Sequence, residues 1–495
     1  MPQRSPAVLL LSLLLLWAAP LSAVGQEDPD RPNVILLISD DVSQGDIGTY
    51  GNEFVSTPTL DRLAEEGLVF DNAYLTTSSC SPTRTSLITG RYPHNTGSSE
   101  LHLPLPEGHF LFPEALKEAG YYTLLSGKHH MGENVNSAFS TIDEGEGPSA
   151  AANWVELLRD RPDDQPFFFW AATDDGHRPW QINDRAPTYD PGDVPVPPYL
   201  VDGPRTRKDL AQYYHEVSRT DHHMGEMVEE LQRQGIADNT YVIYISDNGR
   251  PFPRDKTRLY DSGIKTPMII WKAGGGVPDA RVGSMVSLLD LPPTILELAG
   301  VDRSPQLQGV SMRPIFEDPQ ARIRDFVFAE QNWHVFRAHV RMVREGPWVY
   351  MRNAWPHRRL LSREAAPNPG RFPAAHELWD AHEAGTLRPH QRDIFLKPRP
   401  REELYHVGRD PHQLHNVADD PKYKPVLWRL RTVLDQWTET TGDTVPDNPT
   451  NDREDIYHER NPDFERGVLP GEAANAMDIN APGPIHEEDV FEGGS

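Results

Sequence analysis

The chain of 495 residues contains a single cysteine, Cys80, so no internal disulfide is available to it. It also lacks any Asn-X-Ser/Thr acceptor site with X other than Pro; Asn448 is followed by Pro449. Long apolar runs are missing except for one, "AVLLLSLLLLWAA", which follows Arg4 and precedes the small residues "AVG". That run is short for a bilayer span and reads as a secretory signal over 1–25. No cysteine follows it, which excludes a bacterial lipoprotein anchor. Positive charge is scarce: 48 Lys and Arg stand against 74 Asp and Glu, for a net charge of −26. This balance argues against nucleic acid or an anionic membrane as a general partner. An exported chain without a disulfide pair or a glycan site reads as a bacterial periplasmic or secreted protein, free of the membrane once the signal is removed.

What is present is a set of short apolar runs that end in chemically capable residues. "NVILLIS" ends at Asp40-Asp41, "YYTLLSG" at Lys128-His129-His130, "PFFFWAATDDGH" at His177, and "TYVIYISDNG" at Asp247-Asn248. Their lengths and their β-branched and aromatic content predict buried strands. Between them lie helix-like stretches such as "TPTLDRLAEEG", "FPEALKEAG" and "DHHMGEMVEELQRQG". Alternating strands and helices predict an α/β fold with a mostly parallel sheet, in which ligands bind beyond the carboxyl ends of the strands. "VGSMVSLLDLPPTILELAGV" reads as a further helix packed on the sheet, and Arg185–Pro204 as a long Pro-rich loop.

Past about Asp318 the pattern changes. "RDFVFAEQ", "HVRMVREGPWVYMR" and "EELYHVGRDP" read as strands and "YKPVLWRLRTVLDQWTETTG" as one amphipathic helix. The expected organisation is a signal at 1–25, a catalytic domain at 26–320, a smaller α+β subdomain at 321–445 and an acidic tail at 446–495. The tail is polar and rich in Pro and Gly, and reads as partly disordered.

"CSPTRTSLITGR", Cys80 to Arg91, resembles the signature of the type I sulfatases. "LLISDD", "GKHHMG", "SDNG" and "ELYHVGRDPHQLHNVADDP" match further landmarks of that family in the family's order, from roughly Arg31 to Gly442. Within the family, "SDNGRPFP", "YDPGDV" and "GKHH" are similar to the heparan N-sulfatase (sulfamidase) branch. The resemblance implies an alkaline-phosphatase-like sandwich, and oxidation of Cys80 to formylglycine by a maturation enzyme that reads Pro82 and Arg84. It implies a hydrated aldehyde as nucleophile and one Ca²⁺ per active site. Arg84 then orients the hydrate, Lys128 and His130 flank it with His130 regenerating the aldehyde, and His177 and Lys256 touch the sulfate. His177 is the first choice as acid for the leaving group. The implied substrate is a sulfated saccharide, with removal of N-sulfate from a terminal N-sulfoglucosamine of heparan or heparin. Two departures stand out: Gly176 replaces the branch's Pro before His177, and Lys256 replaces its Arg.

The residues themselves agree with this chemistry. Cleaving a sulfate ester or sulfamate needs a strong oxygen nucleophile, positive charge around the sulfate oxygens and an acid for the leaving group. Asp40, Asp41, Asp247 and Asn248 offer oxygen donors alone, which suits Ca²⁺ rather than zinc; Cys80, once an aldehyde hydrate, adds another. His102 and the basic stretch His357–Arg363 are candidates for sugar contacts. His129, His222 and His223 read as incidental or solvated. The sequence is compatible with a homodimer. Three alternatives stay open: an O-sulfatase on another glycan or an aryl sulfate, a phosphoester or phosphonate-ester hydrolase of the same superfamily, and a catalytically dead glycan-binding protein.

Overall fold

The computed structural model describes residues 31–368, 370–453 and 466–491. The expected signal at 1–25 lies outside the described residues. Eight strands form the main sheet: β1 (Asn33–Ser39), β2 (Leu68–Tyr74), β3 (Tyr122–Gly127), β4 (Thr141–Asp143), β5 (Phe167–Ala172), β6 (Thr240–Ser246), β7 (Met268–Trp271) and β8 (Ala280–Ser287). Their order is β4-β3-β5-β1-β6-β7-β2-β8. β7 runs antiparallel to both its neighbours, and the remaining pairings are parallel.

Every residue of β1, β5 and β6 is buried, because helices cover both faces of the sheet. Side chains alternate between two cores. Val34, Leu36 and Ile38 enter one, and Ile35 and Leu37 enter the other. The helices are α1 (Pro58–Glu65), α2 (Cys80–Thr89), α3 (Phe112–Glu118), α4 (Trp154–Asp160), α5 (Pro204–Gln234), α6 (Asp261–Ile264), α7 (Leu291–Leu298), α8 (Arg313–Glu317), α9 (Pro373–Glu383), α10 (Lys424–Thr441) and α11 (Glu488–Phe491). A second, antiparallel sheet follows: β9 (Val327–Gln331), β10 (Val340–Glu345), β11 (Trp348–Asn353) and β12 (Glu402–His406), in the order β12-β11-β10-β9. α10 packs on it through Leu427, Leu430, Val433, Leu434 and Trp437.

Three expectations need correction. The stretch expected as one helix from Val282 splits into β8 and α7. Val282, Met285 and Val286 face the core while pairing with β2 completes the edge of the sheet, and Pro292-Pro293 fit only the first turn of the helix that follows. His223 is not on a solvated face: it is buried, with Nε2 3.1 Å from Ser149 Oγ and Nδ1 3.0 Å from Glu226 Oε2. His222, one residue earlier, is exposed as expected. The described part of the acidic tail is not loose. Arg91, itself buried, donates to Asn480 Oδ1 at 2.5 Å and to the carbonyls of Met477 and Ile479 at 2.9 Å. Asn95 Nδ2 donates to Ala476 O at 2.7 Å.

Candidate active site

The carboxyl ends of four adjacent strands, β3, β5, β1 and β6, converge, and they carry the residues singled out above. β1 delivers Asp40 and Asp41, and β6 delivers Asp247 and Asn248. The two strands are in register through Ile38–Ile245 and Ser39–Ser246, so the two acidic pairs emerge side by side. β2 leads through Thr76–Ser79 into α2, which starts at Cys80 and is buried along its whole length. The ligand atoms of Asp40, Asp41, Cys80 and Asp247 lie within 4.8 Å of one another, all from buried residues.

Three carboxylates this close cannot all be ionised in a dry site without a compensating cation. Burial raises Asp41 well above the carboxylate range, and Asp40 and Asp247 push it further. Burial and the charge of Asp40 likewise raise Asp247. The basic residues around the cluster give part of the compensation. Arg84 Nε donates to Asp247 Oδ2 at 2.8 Å, and its Nη1 to Lys128 O at 2.8 Å. Lys256 Nζ donates to Asp41 Oδ2 at 2.6 Å, and Lys128 Nζ contacts Asp40 Oδ2. Asn248 Oδ1 is buried and has no hydrogen-bond partner among the described residues, although Asn248 Nδ2 contacts Asp41. An orphaned amide oxygen beside three carboxylates fits a hard divalent cation, since each of these groups offers oxygen.

The cysteine is a poor nucleophile as it stands. Burial raises the Cys80 thiol well above its ordinary value, so thiolate is scarce at neutral pH.

Above the cluster opens a cavity of about 460 Å³. Cys80, Lys128, His130, His177, Lys256 and His102 all line it, so every catalytic residue named from the sequence except Arg84 reaches the pocket wall, together with His102. Arg84 lies behind the wall, against Asp247. Lys128 and His130 belong not to a strand but to the turn just beyond β3, where His130 takes φ +58°. His130 Nε2 is 2.7 Å from His102 Nδ1. Desolvation and the nearby Lys128 lower His130 to about 2. His177 is lowered to about 3 by desolvation and by Lys128 and Lys256. The residue is open to the pocket mouth. Both shifts favour the neutral imidazole.

The loop that carries His177 is clamped from below. Arg219, fully buried on α5, donates through Nε to Asp175 at 3.0 and 3.2 Å and through Nη2 to Glu216 at 3.3 Å. Glu216 in turn accepts from Gly176 N at 3.3 Å and Gln181 N at 2.7 Å. Gly176 has φ +97°, and a Cβ there would stand 2.0 Å from the carbonyl oxygen of Asp40. A proline, with φ held near −65°, cannot adopt this conformation. The glycine noted in the sequence is therefore required by the backbone conformation that presents His177.

Sequence reasoning missed several lining residues: Asp174, Arg178, Gln181, Glu216, His334 and Glu364. Most sit in irregular segments with no motif to mark them. Of the basic stretch His357–Arg363, Arg363 lines the cavity.

Comparison with known proteins agrees with this geometry. The sulfatase family profile matches residues 32–150 and 146–301. Human N-sulphoglucosamine sulphohydrolase is 32% identical over 472 residues, covering 83% of this chain and 91% of its own. An ulvan-active sulfatase of Formosa agariphila is 27% identical over 84% of this chain and 76% of its own. A solved structure described as a complex with its substrate D-glucosamine-2-N,6-O-disulfate superposes with a TM-score of 0.64 at 17% identity, over 83% of this chain and 98% of that one. At that identity the likeness speaks for the fold alone, the alkaline-phosphatase-like sandwich. With the profile spanning more than half its length, the chain belongs to the sulfatase family and is a hydrolase of that family.

Proposed function

We propose that this protein is an exported sulfohydrolase that removes the N-sulfate from a terminal N-sulfoglucosamine of heparan- or heparin-derived saccharides. The observation that carries the reaction class is the meeting, at one pocket floor, of Cys80 at the start of α2 with the oxygen cluster of β1 and β6 and the cations Lys128 and Lys256. The substrate rests on the similarity to human N-sulphoglucosamine sulphohydrolase. A cavity of about 460 Å³ supports a small saccharide entering a pocket rather than a long chain lying across the surface.

In this reading Cys80 is converted to formylglycine, whose hydrate supplies an oxygen nucleophile. Asp40, Asp41, Asp247 and Asn248 would hold Ca²⁺, which would supply Lewis-acid charge beside the Cys80 position. Lys128 and Lys256 sit where a sulfate would need positive charge, and Arg84 buttresses Asp247. The approach of an anionic sulfate counteracts the two lysines and raises His177 towards the range in which it can protonate a leaving amine. His130, neutral and paired with His102, is positioned to accept a proton. Residues 26–320 form the catalytic domain, and 321–445 a subdomain that closes one side of the pocket.

Two measurements test this. Mass spectrometry of the tryptic peptide Leu63–Arg84 should show the thiol-to-aldehyde loss of mass; an unmodified thiol in active protein refutes the mechanism. Desulfation of N-sulfoglucosamine should exceed that of 6-O-sulfated glucosamine and of an aryl sulfate. Good O-sulfate turnover with none on the N-sulfated sugar would make the protein an O-sulfatase instead.

A further inference from the structure

His334 belongs to no motif, yet it is the part of the pocket wall that the second sheet supplies. It follows β9, is 6% exposed and lines the cavity together with Cys80 and Lys256. His102 and His177, by contrast, are open to solvent, so His334 lies at the deep end, where the sulfate is handled. Its Nδ1 is 2.7 Å from Ser79 Oγ. Ser79 is the N-cap of α2 and immediately precedes Cys80, but its hydroxyl makes no capping bond to the helix. Among the described residues that hydroxyl bonds only to His334, and the His334 imidazole makes only this one hydrogen bond.

The backbone beside it is strained. Val335 has φ +77°, a conformation that a β-branched residue avoids and that persists only where its surroundings over-determine it. The surroundings do so here. Leu101 N donates to Trp333 O at 3.3 Å and Arg453 N to Val335 O at 2.9 Å. Trp333 Nε1 donates to Asn451 O at 2.9 Å. Leu101, Trp333 and Val335 form their own small apolar cluster. The outcome of this anchored turn is an imidazole fixed by one nitrogen against the residue before Cys80, with its other nitrogen bonded to no described residue.

We propose that His334 is a substrate-binding residue: Ser79 donates to Nδ1, which places the ring proton on Nε2, and Nε2–H donates to the anionic end of the sulfated substrate beside Cys80. Burial and the charge of Lys256 keep the ring neutral, so it contributes a directed hydrogen bond rather than another charge. A core histidine with a purely structural role would need neither the strained turn nor a place on the pocket wall. The assignment rests on the reading that this pocket binds sulfate next to Cys80.

The test uses full-length protein in which conversion of Cys80 has been quantified by peptide mass, with rates normalised to the converted fraction. Wild type is compared with His334→Ala, His334→Gln and Ser79→Ala. kcat and KM are measured on whichever sulfate ester or sulfamate the wild type turns over, and inhibition by inorganic sulfate is measured alongside. His334→Ala is expected to weaken sulfate inhibition and to lower kcat/KM by about 10- to 100-fold, as for loss of a hydrogen bond to a charged group. His334→Gln, whose amide N–H reaches a similar position, restores most of both, and Ser79→Ala gives a smaller loss. Should His334→Ala fail to fold, the Gln and Ser79 variants carry the comparison. Sulfate inhibition within twofold of wild type in His334→Ala overturns the proposal. So does an equal fall in kcat/KM for Ala and Gln with sulfate inhibition unmoved. Because any turned-over sulfate ester serves, a wrong sugar assignment leaves this test intact.

Discussion

At the residue scale, Cys80 and Gly176 show how little freedom the site has. Cys80 begins a fully buried helix, and its thiol is held protonated by its surroundings. Cys80→Ala is expected to fold and to lose at least about 10³-fold in turnover, read as kcat on the preferred substrate. Retention of activity in that variant would place the nucleophile elsewhere. Gly176→Ala forces a Cβ to within 2.0 Å of the Asp40 carbonyl oxygen in a left-handed conformation. The expected cost is at least about 1–3 kcal/mol of stability, measured by chemical denaturation, with kcat falling as well because the displaced backbone carries the Asp40 carboxylate of the buried cluster.

The site residues named from the sequence were legible for a chemical reason. Asp40-Asp41, Asp247-Asn248 and Lys128–His130 each terminate an apolar run, and a parallel sheet exposes its chemistry at strand ends. His334 and Glu364 were not legible, because nothing local marks them; loops of the second sheet and its connections bring them to the pocket.

At the scale of elements, the loop from Thr173 to Gln181 depends on α5. Arg219 faces two carboxylates, Asp175 and Glu216, so the trio has one negative charge more than it has positive. Burial and the charge of Asp175 raise Glu216 from 4.5 to about 8. A raised carboxyl favours the folded state most below its unfolded value near 4.5, and that contribution fades as pH rises towards 8. Glu216→Gln should therefore flatten the decline in stability across this window, measured as denaturation midpoints from pH 4.5 to 8; an unchanged slope would show that the pair holds no proton. Arg219→Ala leaves both acids buried without a counter-charge and should cost roughly 3–5 kcal/mol, together with a loss of kcat as His177 is released.

The misread helix from Val282 belongs at this scale too. Its apolar content suits either structure, and only pairing of β8 with β2 selects the strand.

At the scale of the whole molecule, the catalytic cluster and the tail each tie distant parts of the chain together. Asp40 and Asp247 are contributed by strands far apart in sequence, so a bound cation cross-links them and stabilises the native state alone. Adding Ca²⁺ to chelator-treated protein should raise the melting temperature; a hundredfold excess over Kd corresponds to about 2.7 kcal/mol. A response to zinc with none to calcium would count against the oxygen-donor assignment. The described tail residues satisfy Arg91 and Asn95, both buried. Deleting residues from 466 onward should therefore destabilise the protein by roughly 3–5 kcal/mol, the cost of leaving a buried charge unpaired, read by thermal and denaturant unfolding.

The sequence by itself determined the reaction class and marked the strand-end carboxylates that meet at the pocket floor, because a strand-end dipeptide and the motif around Cys80 are local patterns that survive any packing. Tertiary structure alone decided which histidines are buried, which loop residues line the pocket and where the described part of the tail lies. Those depend on contacts between segments hundreds of residues apart, such as Ser79 with His334 and Arg91 with Asn480. No local periodicity encodes such contacts, since each partner alone would be equally at home on a solvated surface.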